Sequence, residues 1–352
     1  MPFAVPVVDI GAYVQQDGTP EQRAIVAAAI DEACRTVGFI QVIGHGVPTA
    51  LTNGLAEAID EFFGLNLQVK KAYRTPPEVN RGYTAPKSES LSLSLGYESS
   101  SRMKDFFEAF NVGLAKSDFP NLSVDSKHYP ENVWPSTEHA PMFKHRVQSY
   151  FVEAGRVART MTRIFADALS LPPDFFEAHT DHSIDVLRMN NYALPEGTEV
   201  RLDGKDDLMG MGAHTDFGIV TVLWADQVRG LQVLDAQGSW HDVSPTRGAL
   251  LINLGDLTAR WTNERWTSTL HRVKPPILEN GTVERRRSAA YFHDGNAEAL
   301  ITTIPSTIAE GQAPLYDPIT VGDHIAAKLG GSRAGRRNEA GRETQRVLAA
   351  TG

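Results

Sequence analysis

The sequence predicts an α+β protein, with a helical N-terminal region packed around an antiparallel β core. Two observations predict it. The first half holds long stretches whose apolar residues recur three or four apart, the signature of amphipathic helices. Beyond about Asp185, short runs rich in Val, Ile, Leu, Thr and Trp alternate with Gly, Asp, Asn and Pro. No helical pattern separates these runs, as in a β-sandwich or barrel.

The elements follow in order. Val5 to Ile10 is a short β-like run punctuated by Pro6. From about Glu21 to Val37, the apolar residues Ile25, Ala28, Ala29, Ile30 and Ala33 mark a helix that Gly38 stops. Phe39–Ile43 reads as a strand, closed by Gly44-His45-Gly46-Val47-Pro48. A second helix is expected from Pro48 to about Phe63. Residues 76–104 are rich in Ser, Pro, Gly and Glu with little period, the texture of a long irregular segment. A third helix, from about Met142 to Leu169, ends at Pro172-Pro173. Strands are expected at Ile219–Trp224, Leu231–Leu234, Ala249–Leu254 and Ser288–Phe292, and a last helix at Val321–Leu329. The corresponding division is an N-terminal mixed region (4–120), a linking helical segment (121–180), the β core (181–295), a C-terminal segment (296–330) and a mobile tail (331–352).

Composition bounds the function. With 34 Lys+Arg against 43 Asp+Glu, the formal charge is −9 over 352 residues. Nucleic-acid and membrane-surface binders need a basic face, so neither partner is expected. The one dense basic stretch, Arg333 to Arg346, is interrupted by acidic and small residues. The single cysteine, Cys34, excludes an intrachain disulfide and reads as a buried, inert thiol. No basic segment precedes an apolar one at the N-terminus, so a cytoplasmic location is the default expectation.

The chemistry rests on histidine and carboxylate. No Walker loop or nucleophile elbow is present, and Gly210-Met211-Gly212 lacks the third glycine of a dinucleotide fingerprint. The tetrapeptide Ala-His-Thr-Asp occurs twice, at Ala178–Asp181 and Ala213–Asp216. On a strand, His and Asp two apart share a face about 7 Å apart at the backbone, which suits two ligands of one ion; on a helix they splay. The first copy follows a short helix-like stretch and reads as a solvated turn. The second leads into Phe217–Trp224, the best strand of the chain, and reads as the rigid platform. A facial triad of two histidines and one carboxylate leaves three positions open on ferrous iron and needs one more histidine. His241, His271 and His293 are candidates, and the pattern alone leans only weakly to His271.

These residues carry a resemblance. The chain resembles the isopenicillin-N-synthase-like branch of the Fe(II)/2-oxoglutarate dioxygenases. His214-Thr215-Asp216-x-Gly218, then Thr221, then Gly230-Leu231-Gln232-Val233, is similar to that family's first metal motif. Asn253-x-Gly255-Asp256 and Ser268-Thr269-x-His271-Arg272-Val273 are similar to its second, with 54 residues between Asp216 and His271. Arg286-x-Ser288, fifteen residues past His271, resembles its cosubstrate motif, and Asn190-x-Tyr192 its N-x-Y segment. Val5–Asp9 and Gly38–Val47 resemble its N-terminal region. Asn191, Ala193 and Leu194 depart from it, standing where members often carry an aromatic residue and prolines.

The resemblance implies a double-stranded β-helix, or jelly-roll, core. It implies His214, Asp216 and His271 as ligands of Fe(II), and Arg286 and Ser288 as the holders of 2-oxoglutarate, with Tyr192 and Asn190 beside them. It also implies an oxygenase that uses O2 to hydroxylate, desaturate or cyclise a small organic molecule, with release of succinate and CO2. Strand alternation puts Arg286, Ser288, Ala290 and Phe292 on one face and Arg285 and Arg287 on the other. Two other readings compete: an iron oxidase of the same fold that does not use 2-oxoglutarate, and a non-enzymatic metal- or ligand-binding sandwich. The prime substrate and the oligomeric state are left open.

Overall fold

The computed structural model describes residues 3–15, 17–95, 105–193, 210–274, 276–278, 282–333, 335 and 342. The chain opens with β1 (Val7–Asp9), α1 (Gly11–Val14), α2 (Pro20–Thr36), β2 (Phe39–Ile43), α3 (Thr49–Phe63) and α4 (Leu67–Lys71). It continues with β3 (Gly82–Thr84), β4 (Glu108–Gly113), α5 (Phe143–Ala168), β5 (Val186–Tyr192), β6 (Met211–His214), β7 (Val220–Ala225), β8 (Leu231–Leu234) and β9 (Trp240–Asp242). It closes with β10 (Leu250–Leu254), α6 (Asp256–Trp261), β11 (His271–Val273), β12 (Arg286–His293), β13 (Leu300–Ile301), β14 (Ile319–Thr320) and α7 (Val321–Ser332).

Local chemistry sets the N-terminal helix. Thr19 and Gln22 form a reciprocal capping box, and Pro20 takes the first helical position. The helix stops because Gly38 adopts φ +70°, and a Cβ there would lie 2.3 Å from the Thr267 carbonyl oxygen. Cys34 is fully buried on this helix, and burial pushes its thiol pKa well up, as an inert core thiol requires.

Eight strands form one sheet in the order β1-β2-β10-β7-β12-β5-β4-β3, and four form a second in the order β6-β11-β8-β9. The jelly-roll expectation is met. The long helix α5 packs behind β7 and β12 of the large sheet, burying Val157, Met161 and Phe165 in the same cluster as Leu187, Val222 and Tyr291. The small sheet covers the other face, and the cavity lies between the two.

Three elements differ from expectation. The irregular stretch 76–104 contains β3 and a 3-10 turn at Leu91–Leu95, although 96–104 lie outside the described residues. The best strand of the chain does not carry the His-x-Asp pair. β6 ends at His214 in the small sheet, and β7 begins at Val220 in the large one. Asp216 lies on the crossing, bridged to Gly255. The crossing needs two close backbones: a Cβ on Gly255 would lie 2.1 Å from the Gly218 carbonyl oxygen. α7 runs three residues past its expected end at Leu329, and most of the expected mobile tail lies outside the described residues. No helix among the described residues is long and apolar enough to cross a membrane.

Candidate metal and cosubstrate site

Sheet register joins two histidines that are far apart in sequence. His271 on β11 is the direct antiparallel partner of His214 on β6. Directly opposed residues point to the same face, so the rings meet with centroids 4.2 Å apart. Each Nδ1 is held by a nearby carbonyl: His214 by Gly212 at 2.8 Å and His271 by Thr269 at 3.1 Å. The carbonyls fix the tautomer and leave both Nε2 lone pairs free.

Asp216 completes the group. Its Oδ1 lies 3.8 Å from His214 Nε2 and 3.7 Å from His271 Nε2. Both gaps are shorter than twice a metal–ligand bond of about 2.1 Å, so one ion fits between the three atoms. Its Oδ2 accepts from the Thr221 hydroxyl at 2.5 Å and from Asn253 Nδ2 at 2.6 Å. Thr221 and Asn253 are cross-strand partners on β7 and β10, which explains why both reach one oxygen. Burial first, and then the neighbouring His271, pull the His214 pKa down, so the ring stays neutral and able to coordinate. Among the described residues, these three form a buried group able to hold a metal ion.

The other candidates are engaged elsewhere. His241 Nε2 pairs with Asp235 at 2.5 Å, and His293 Nδ1 with the buried Asp185 at 2.9 Å. His45 accepts from the Val47 amide in its turn. In the first tetrapeptide, His179 ends a 3-10 turn and packs on Trp261, while the Asp181 side chain is 68% exposed beside His182.

β12 carries the second half of the site. Arg286 pairs across to Tyr192, and Ser288 to Asn190, on β5. All four are buried and line the same cavity as the His-Asp-His group. Arg286 is 2% exposed, its guanidinium lies 5.2 Å over the Tyr192 ring, and its Nε and Nη1 have no hydrogen-bond partner. A buried cation with open donors calls for an anionic ligand, and a guanidinium fork matches a carboxylate. Arg285 and Arg287 point away from the cavity, both to Asp60, at 2.7 and 2.6 Å. Asn190 lends its oxygen to Arg188 at 3.2 Å.

Sequence reasoning missed Arg188, Asn111 and Asn80, which also line the cavity. Arg188 was the one with a signal, as a lone charge inside a fully buried strand. Glu108, on the neighbouring strand, is locked by Lys70, Tyr83 and Asn191. Asp105 is held by the Leu91 and Gly212 amides.

Known families fit this geometry. The profile described as "non-haem dioxygenase in morphine synthesis N-terminal" matches residues 5–137, and "2OG-Fe(II) oxygenase superfamily" matches 183–295. The chain belongs to the 2OG-Fe(II) oxygenase superfamily. Iron(II), 2-oxoglutarate and O2 are the reagents of this oxygenase family. The 2-oxoglutarate-Fe(II) type oxidoreductase hxnY of Emericella nidulans is 32% identical over 328 residues, covering 92% of this chain and 89% of that one. Validamycin A dioxygenase of Streptomyces hygroscopicus subsp. limoneus is 31% identical over 332 residues, covering 93% and 86%. A full-length Neurospora crassa protein, crystallised with alpha-KG and 5-formyluracil, superposes with a TM-score of 0.78 at 26% identity, covering 92% of this oxygenase and 95% of the Neurospora chain.

Proposed function

We propose that this oxygenase binds one iron(II) ion through His214, Asp216 and His271, and holds the distal carboxylate of 2-oxoglutarate on Arg286 and Ser288. Tyr192 and Asn190 line the cosubstrate side. The observation that carries the reading is the buried Arg286, whose two unpartnered N–H groups share a cavity with three ligand atoms poised for one ion.

Bound there, iron(II) supplies the oxidising chemistry in which 2-oxoglutarate and O2 yield succinate, CO2 and an oxidised organic substrate. The protein's own work is positional. Gly212 and Thr269 hold the imidazoles in the coordinating tautomer. Thr221 and Asn253 hold Asp216 so that a single oxygen faces the ion. Arg286 neutralises a carboxylate stripped of water, and Leu223, Leu231 and Val273 give the cavity an apolar wall.

Relatives point to a substrate of metabolite size: one is named for validamycin A, and the Neurospora protein was also crystallised with thymine. The test is release of labelled CO2 from 2-oxoglutarate carrying the label in its C1 carboxylate. Release that needs iron(II) and rises with a small-molecule substrate supports the reading. Substrate oxidation without 2-oxoglutarate turnover contradicts it.

A further inference from the structure

The cavity continues past the cosubstrate end to a second polar wall. Along β12, Ala290 lies four residues from Arg286 and pairs across to Arg188, which in turn pairs across to Asn111 on β4. Four strand residues span about 13 Å. Arg188 and Asn111 thus form one cross-strand row well away from the Arg286 clamp, and both line the cavity.

Hydrogen bonding fixes what this row offers. The Arg333 guanidinium donates to Asn80 Oδ1 at 2.8 Å, so that oxygen is an acceptor. Asn111 must then present Nδ2 to it, at 2.6 Å. That orientation leaves Asn111 Oδ1, buried and without a partner, as an open acceptor. Arg188 donates from Nε to Asn190 and from Nη2 to Glu89, and no acceptor among the described residues takes its Nη1. The row therefore sets an open donor beside an open acceptor.

Charge narrows the ligand further. Arg188 and Arg333 sit on the two oxygens of Glu89, and Asp105 lies in the field of Arg188. The two cations are matched by two carboxylates, and a second anion would also meet the bare Asn111 oxygen. The rings of Phe217 and Phe292 line the same cavity and offer flat apolar faces.

We propose that Arg188 and Asn111 select a neutral, planar substrate with an amide-type edge, an N–H beside a C=O, as in a lactam, imide or cyclic ureide. Arg188 donates to the carbonyl and Asn111 accepts from the N–H. The proposal rests on the oxygenase reading above and names the substrate class of that site.

The test loads the protein with iron(II) and 2-oxoglutarate under nitrogen and titrates three ring-matched probes by calorimetry: 2-quinolone, quinoline and 2-naphthoate. 2-Quinolone should bind at least tenfold more tightly than the other two, because a site built around buried polar groups rejects analogues that leave them unpaired. Arg188→Lys, which keeps a cation for Glu89, and Asn111→Leu should each cost at least tenfold for 2-quinolone and shift 2-oxoglutarate affinity by less than about threefold. Tightest binding of 2-naphthoate, equal or no binding of the three probes, or unchanged 2-quinolone affinity in either folded variant would overturn the inference while leaving the cosubstrate reading intact. Failure of the parent protein to bind 2-oxoglutarate would overturn both.

Discussion

His214 and His271 are each held at Nδ1 by a carbonyl two residues back in sequence, Gly212 and Thr269. The same small device, repeated on two paired strands, aims both Nε2 atoms at Asp216 Oδ1. Alanine at His214, Asp216 or His271 is expected to abolish turnover and iron binding, while His179→Ala and Asp181→Ala keep both; metal content after anaerobic reconstitution, with succinate production, checks this. Essential His179 and Asp181 would reverse the choice between the tetrapeptides. The His-x-Asp pair was legible because its spacing is local. The third ligand was not legible from local pattern, because His241, His271 and His293 all sit in β-like runs; the family resemblance singled out His271, and pairing register is what brings it to His214. The pairing of Arg188 with Asn111 was hidden for the same reason, since it arises only where β5 and β4 face each other.

The element that matters most is the crossing between β6 and β7, which moves the chain from the small sheet to the large one and leaves Asp216 between them. Its tightness comes from Gly218 and Gly255, with the Gly255 amide donating to Ile219 and the Asp256 amide to the Asp216 carbonyl. Gly255→Ala sets a methyl against the Gly218 backbone, so the crossing must move and take Asp216 with it. The expected cost is about 1–3 kcal/mol of stability, typical of overpacking. Displaced support of a ligand carries a loss of roughly 10–100-fold in metal affinity. Urea unfolding and cobalt(II) titration of the variant measure the two effects; unchanged metal affinity would show that the crossing does not position Asp216. Helices and strands with a clear period were legible to within a few residues. The crossing was not, because an unbroken β-like run from Phe217 to Trp224 gives no local sign that a chain changes sheets.

Across the whole molecule, buried ions tie α7, which lines the cavity, to α6 and to the segment around Glu89. Lys328 pairs with Asp256 at 2.8 Å, and Arg333 with Glu89 at 3.2 Å. Ile325, Leu329 and Ser332 of α7 line the cavity. Asp105 belongs to this network, through the Leu91 and Gly212 amides, and burial raises its carboxyl to about 6 from an ordinary 3.8. The sign follows from proton binding. Folded Asp105 keeps its proton at pH values where the unfolded chain has lost it, so this group makes stability fall as pH rises from about 4 to about 6. A shift of about two pKa steps corresponds to roughly 3 kcal/mol. Asp105→Asn removes that dependence, so the stability of the variant relative to the parent should climb through this window and level off above it. Urea unfolding at stepped pH measures it; parallel curves would contradict the assignment. The network lay beyond sequence reasoning because its ion pairs join residues more than seventy positions apart.

The measurement that bears most directly on the central claim is 2-oxoglutarate titration of the anaerobic iron(II) protein and four single variants. Arg286→Ala removes one member of a buried ion pair, worth about 3–5 kcal/mol, and should weaken binding by about 10²–10³-fold or more. Ser288→Ala removes a hydrogen bond to a charged group, worth about 1.5–3 kcal/mol, and should cost roughly ten- to a hundredfold. Arg285→Ala and Arg287→Ala, which face Asp60 outside the cavity, should change affinity by less than about threefold. Equal losses for all three arginines, unchanged affinity in Arg286→Ala, or no binding by the parent protein would contradict the account.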